Sequence, residues 1–163
     1  MYKSRKIPEK LYMQIKGSIP ILCVDVLVKT DTGVLLEVRD HWPAKNKAWV
    51  IGGRVYYGES LEHAIERKVK DELGLNVKII KQVGIYSTVF SKGGNTHTVN
   101  VVYLVEKTGG KLRPNNEYRR LIYVDKIESN LHPFIKRALS DSRVFDEKKT
   151  NKRYSNKNFF ADW

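Results

Sequence analysis

Gly53-Arg54-Val55-Tyr56-Tyr57-Gly58-Glu59 and, seven residues later, Arg67-Lys68-Val69-Lys70-Asp71-Glu72-Leu73-Gly74-Leu75 form the stretch that decides the fold. Leu61, Ala64, Ile65, Val69 and Leu73 fall on one stripe of a helix over 60–73, and Gly74 ends it. A glycine-bearing loop thus feeds an amphipathic helix. Residues 67 and 71, like 68 and 72, are spaced i, i+4, which sets two polar columns side by side next to the buried stripe. Acids at the far end of such a helix, facing glycine-loop carbonyls, supply the oxygen donors that Mg²⁺ takes, with substrate phosphates completing its shell. The same pattern also suits a solvated charged face.

On the amino-terminal side, Ile7-Pro8-Glu9 with Leu11, Tyr12 and Ile15 predicts a short amphipathic helix ending at Gly17. The nearly apolar run 21–28, the turn Thr30-Asp31-Thr32-Gly33 and the run 34–38 predict two buried strands joined tightly. Asp25 lies inside the first run. A carboxylate there needs a partner, either a structural hydrogen bond or a ligand hydroxyl. A polar loop with Pro43 precedes Trp49-Val50-Ile51 and Gly52-Gly53, and β-rich segments follow around 77–80, 83–90, 97–105 and 121–124. A second helix is expected over 131–139. The fold class is therefore α/β of the α+β kind, a mixed β-sheet sandwiched between helices.

The 163 residues, 41% hydrophobic and 29% charged, suffice for one globular core and not for two full domains. No apolar run approaches the roughly 18 to 20 residues that span a bilayer, and residues 1–10 are charged where a secretory signal turns apolar, so a cytoplasmic protein without a membrane partner is expected. The single cysteine, Cys23, and four histidines exclude an intramolecular disulfide and a Cys/His zinc cage. Any metal must be held by oxygen. The net charge of +12 favours an anionic partner, but 7 of those charges lie in residues 1–20 and 143–163. That distribution fits a mildly basic catalytic or binding stretch over 21–142 with basic ends better than a nucleic-acid binder, within one domain over 1–142 that includes the amino-terminal helix and is followed by a basic polar tail over 143–163. The tail holds Lys148-Lys149-Thr150-Asn151-Lys152-Arg153 near Phe159, Phe160 and Trp163. It is either a solvated segment, a segment docked on the domain or on a second copy, or an RNA contact.

The spacing from Gly53 to Leu75 resembles the Nudix box, Gly-x5-Glu-x7-Arg-Glu-apolar-x-Glu-Glu-x-Gly-apolar. Gly53, Glu59, Arg67, Val69, Glu72, Gly74 and Leu75 fit it, and Asp71 conservatively replaces the first acid of the Glu-Glu pair. Lys68 stands where the box has the Glu after Arg. An ammonium there repels a second divalent cation and is no carboxylate base, so fewer metals are expected than in the usual member. The GDP-mannose mannosyl hydrolases, a branch that lacks the same Glu and cuts at the sugar carbon, are similar over about 18–139. That similarity includes Ile19-Pro20, Cys23-Val24-Asp25, Leu35-Leu36 with Arg39, Pro43-Ala44, Trp49-Val50, Gly52-Gly53-Arg54-Val55 and His132.

This resemblance implies a role for each matching position. Glu72 matches the acidic Mg²⁺ ligand and the Gly52 carbonyl the backbone ligand; Arg39 and Arg54 match arginines on the diphosphate leaving group; Asp25 matches a buried acid of the active site. Glu117-Tyr118 stand where the family has a metal-binding Gln and a general-base His. Glu117 is thereby implied as a further Mg²⁺ ligand and Tyr118 as the residue in the base's place, although a hydroxyl with an ordinary pKa of about 10 is a poor base at neutral pH. His97 is an alternative base. The implied substrate is a nucleoside diphosphate sugar and the implied assembly a homodimer. Two other readings stay open: attack at phosphorus on ADP-ribose or a related nucleotide, with Asp71 and Glu72 as metal ligands, and a nucleotide-sugar-binding module without catalysis.

Overall fold

A computed structural model describes residues 7–91, 96–113, 120–146 and, for the backbone, 158–161. Helix α1 (Glu9–Ser18) leads into β1 (Ile21–Thr30), which turns into β2 (Gly33–Val38). The short strands β3 (Ala48–Trp49) and β4 (Ile51–Arg54) precede helix α2 (Leu61–Leu73). Two long strands, β5 (Leu75–Phe90) and β6 (Thr96–Gly110), then pair antiparallel, before β7 (Arg120–Val124), helix α3 (Pro133–Ser142) and β8 (Asn158–Ala161).

The sheet runs β3-β2-β1-β6-β5-β8, with β4 added to β1 and β7 to β2. The pairings β1 with β6 and β5 with β8 are parallel and the rest antiparallel, so the sheet is mixed as expected. Strand β1 changes partner along its length. Its first half pairs with β4, Asp25 opposite Gly52, and its last residues pair with β2, Val28 opposite Leu35. The expected run Trp49-Val50-Ile51 is split for the same reason, since Trp49 pairs with Glu37 on β2 while Ile51 pairs with Val26 on β1. The two segments expected around 77–80 and 83–90 are one strand, β5, kept continuous by register shifts that absorb its extra residues. The segment expected as a tail returns to the sheet at β8. Lys148 to Arg153, where an RNA contact was considered, lie outside the described residues.

Alternation along the strands builds two cores. Leu27, Val34, Leu36, Val102 and Leu104 face α3, whose Phe134, Ile135, Ala138 and Leu139 close that side. Val24, Val26, Leu35, Val101 and Val105 face α2, whose Ala64, Ile65, Val69 and Leu73 close the other. Each such side chain contributes roughly 1.5 to 3 kcal/mol of burial. Helix α2 starts at Ser60, whose hydroxyl accepts from the His63 amide at 3.2 Å, and stops at Gly74 in the left-handed conformation, φ 72°. Helix α3 is capped by buried His132, which accepts from the Phe134 amide at 3.1 Å and packs on Trp49. Burial, with Lys136 nearby, pulls that imidazole down to about 4, so it serves as a neutral cap. Among the described residues no helix is long and apolar enough to cross a membrane.

Candidate active site

The loop between β4 and α2 is held by one carboxylate. Glu59 is buried, and Arg67, two turns into α2, grips it with a fork: Nε donates to Oε1 at 2.6 Å and Nη2 to Oε2 at 2.8 Å. The Tyr56 amide donates to the same carboxylate at 2.9 Å, and His63 Nδ1 lies 3.1 Å from it. Arg67 also donates to the Arg54 carbonyl at 3.1 Å and lies 3.9 Å above the centre of the Tyr56 ring. The Arg67 hydrogen bond, helped by the Tyr56 amide and His63, holds Glu59 down at about 2. This fork fixes the loop to the helix and commits the Glu59 carboxylate to a structural pair.

One residue along, the second polar column faces the strands. Lys68 Nζ donates to Glu72, and both side chains are mostly covered, 19% and 12% exposed. The end of the Lys68 chain crosses Gly53, where an added Cβ would meet Cε at 2.8 Å and Nζ at 2.9 Å. Gly52 is equally constrained: a Cβ there would strike the Asp25 carboxylate and come within 2.5 Å of the Val24 carbonyl oxygen. Asp25 on β1 is buried, as is Glu37 on β2. Burial pushes Asp25 up to about 7; Arg39 and then Lys68 oppose the rise, while Glu37 and Glu72 add to it. Five charged side chains, Asp25, Glu37, Arg39, Lys68 and Glu72, therefore act on one point where β1 changes partner. Cys23 beside them is buried, and burial first, then Asp25, raises its thiol to about 12, which keeps it protonated and unsuited as a nucleophile.

Asp25, Arg39, Gly52 and Glu72 are thus assembled together. Arg54 lies one residue beyond Gly53, opposite Cys23, with its guanidinium 4.3 Å above the centre of the Tyr12 ring of α1. Both residues line a cleft of about 780 Å³ with Ile15, Ile19, Tyr56 and Tyr57. Asp71 is not brought to this place. It is exposed, and its charge acts on Arg67 in the other column, whereas that of Glu72 acts on Asp25. Glu117 and Tyr118 lie outside the described residues. His97 on β6 has its Nε2 2.8 Å from the Ser87 hydroxyl on β5. Two participants were not singled out from sequence: Glu37, detectable by the same signal as Asp25, an acid inside an apolar run, and Tyr12, for which helical spacing gave only an apolar face.

Among the described residues no three His, Cys, Asp or Glu side chains are arranged to hold a metal ion. The donors that the resemblance implies, the Gly52 carbonyl and Glu72, lie on β4 and α2. An ammonium is bonded to Glu72 and laid over Gly53, so one positive charge already lies beside that carboxylate.

A model of the NUDIX domain matches residues 20–141, from the start of β1 to the last turn of α3. The low-salt glycan biosynthesis protein Agl8 of Haloferax volcanii is 26% identical over 139 residues, covering 82% of this chain and 89% of that protein. An ADP-ribose pyrophosphatase of Methanocaldococcus jannaschii is 29% identical over 106 residues, 65% of this chain and 62% of that one. Among solved structures, a MutT NUDIX hydrolase from Burkholderia pseudomallei shares the fold with a TM-score of 0.65 at 23% identity, over 76% of this chain and 98% of its own. The matched residues include the loop-helix-loop from Gly53 to Leu75, in which Arg67 clamps Glu59, and this chain belongs to the Nudix hydrolase family.

Proposed function

We propose that the protein is a Mg²⁺-dependent hydrolase of nucleoside diphosphate sugars that releases the nucleoside diphosphate by attack of water at the anomeric carbon, in the manner of GDP-mannose mannosyl hydrolases. The observation that carries this reading is Lys68 paired with Glu72. A box that works at phosphorus uses a carboxylate at that position, and an ammonium can neither accept a proton from water nor ligate a metal. Beside a diphosphate it does something else: with Arg39 it stabilises the charge that grows on the leaving group.

The remaining roles are assigned from the resemblance together with the surroundings of each described residue. Arg54, steadied on Tyr12, binds phosphate oxygens at the edge of the cleft, whose apolar and aromatic walls suit the nucleoside. Asp25 lies opposite Gly52 in the β1–β4 pairing, its carboxylate against that glycine. The Gly52 carbonyl and Glu72 would hold Mg²⁺, with Glu117 as a further donor, and the ion would supply charge neutralisation of the diphosphate. Tyr118 stands in the place of the base. A homodimer accords with helix α1, which buries none of its own residues and leaves Leu11 and Met13 about half exposed; light scattering at micromolar concentration should give twice the chain mass.

Turnover of GDP-mannose with Mg²⁺ in ¹⁸O-water tests the reaction. The reading expects GDP and mannose with the label on the sugar. GMP and mannose 1-phosphate with labelled phosphate would instead establish attack at phosphorus, the second reading, which the ADP-ribose pyrophosphatase of M. jannaschii favours at 29% identity. No product from any nucleotide sugar or ADP-ribose would end both.

A further inference from the structure

The position of Lys68 carries more than the loss of a base. Its ammonium is bonded to Glu72, its chain covers Gly53, and its charge acts on Asp25, which lies against Gly52. Of the two donors read above as those of the Mg²⁺ site, Glu72 is therefore already served by a cation that belongs to the chain, and that cation lies over the glycine next to the other. We infer that in the free protein the Lys68 ammonium occupies the cation position, so that a divalent ion enters only together with a diphosphate that draws the ammonium away from Glu72.

The physical grounds are charge and geometry. Mg²⁺ gives up water reluctantly and needs several oxygens in octahedral array, and Glu72 is neutralised before the ion arrives. An ion placed at Glu72 with Lys68 still bonded there would face an ammonium within one side-chain length in a mostly covered setting, where screening is weak. A lysine, unlike the forked Arg67, holds its partner by a point charge on a flexible stem and can exchange one anion for another. A nucleoside diphosphate offers both things needed: oxygens for the ion and a new anion for Lys68. The consequence is positive coupling between nucleotide and metal, with the lysine as its carrier.

This inference rests on the reading of Gly52 and Glu72 as the donors. It is tested by Mn²⁺ titration of the whole chain, followed by electron paramagnetic resonance, for the wild type, Lys68→Met, Lys68→Arg and Lys68→Met/Glu72→Gln, each verified as folded by circular dichroism. Expected is a gain in Mn²⁺ affinity of about tenfold or more in Lys68→Met, none in Lys68→Arg, and loss of the gain in the double variant. GDP should tighten Mn²⁺ binding by wild type beyond that of GDP alone, and by a larger factor than in Lys68→Met. Equal affinities of wild type and Lys68→Met, a gain that survives without Glu72, or no binding by any variant would each overturn the inference. Product analysis is independent of these outcomes: a protein that cleaves no nucleotide sugar but gains the Mn²⁺ site loses the proposed function and keeps the coupling, and one that cleaves GDP-mannose with unaltered affinities does the reverse.

Discussion

Two columns on helix α2 set similar charges one residue apart and use them differently. Arg67 reaches a carboxylate eight residues back in the chain, with 0% of that acid's side chain exposed, through two parallel hydrogen bonds and a ring stacked on its face. Lys68 reaches an acid on its own helix through one bond, at the point where two strands separate from β1. A planar fork with two parallel bonds to one carboxylate fixes a loop, whereas a single point charge leaves its partner exchangeable. On the function proposed above, the box contains a structural pair and a chemical pair side by side.

Breaking the structural pair should give the largest effect. Arg67→Ala leaves Glu59 buried without its counter-charge and is expected to cost about 3 to 5 kcal/mol, seen as a fall in melting temperature of roughly 6 to 20 °C. Arg67→Lys should recover little of it, since an ammonium cannot reproduce the fork. Next comes Arg39→Ala, at the chemical pair: turnover of GDP-mannose should fall by about 10² to 10³, with the melting temperature within a few degrees of wild type. A stability loss matching that of Arg67→Ala would erase the distinction between the columns.

Acid sharpens the same contrast. Glu59 stands at about 2 in the fold against an ordinary 4.5, so its contribution is complete above about 4.5 and is lost as pH falls through that interval toward 2. In Glu59→Gln the stability should already be low at neutral pH, and the slope between those values should flatten in urea denaturation measured at a series of pH values. The smallest effect belongs to Asp71→Asn. This residue is exposed and acts on the Arg67 column, so stability should shift by no more than about 0.5 kcal/mol, and Mn²⁺ affinity should stay within a factor of two. A tenfold loss of affinity would return Asp71 to the metal site.

Much of this arrangement is legible before any coordinates. The apolar stripe and Gly74 bound α2 to within one residue, and the nearly unbroken apolar runs 21–28 and 34–38 announce β1 and β2, because local apolar pattern reports burial directly. Asp25 is conspicuous as an acid among apolar neighbours, and the i, i+4 spacing separates the two columns. What is not legible depends on contacts distant in the chain. Nothing local tells that Trp49 and Ile51 join different strands, that Tyr12 meets Arg54, or that 158–161 pairs with 87–90. Asp71 illustrates the same limit from the other side. Both members of an Asp-Glu pair look equivalent as letters, and only the rotation of the helix on the sheet turns Glu72 toward Lys68 and Asp25, and Asp71 toward solvent and Arg67.

The central claim is that Glu72, with Gly52, is the chemical end of the box and bears no weight in the fold. The direct measurement is the initial rate of GDP release from GDP-mannose at saturating Mg²⁺ by Glu72→Gln, at a temperature where circular dichroism shows the variant folded. A fall of about 10²-fold or more against wild type is the predicted result. A rate within a factor of two of wild type would contradict it.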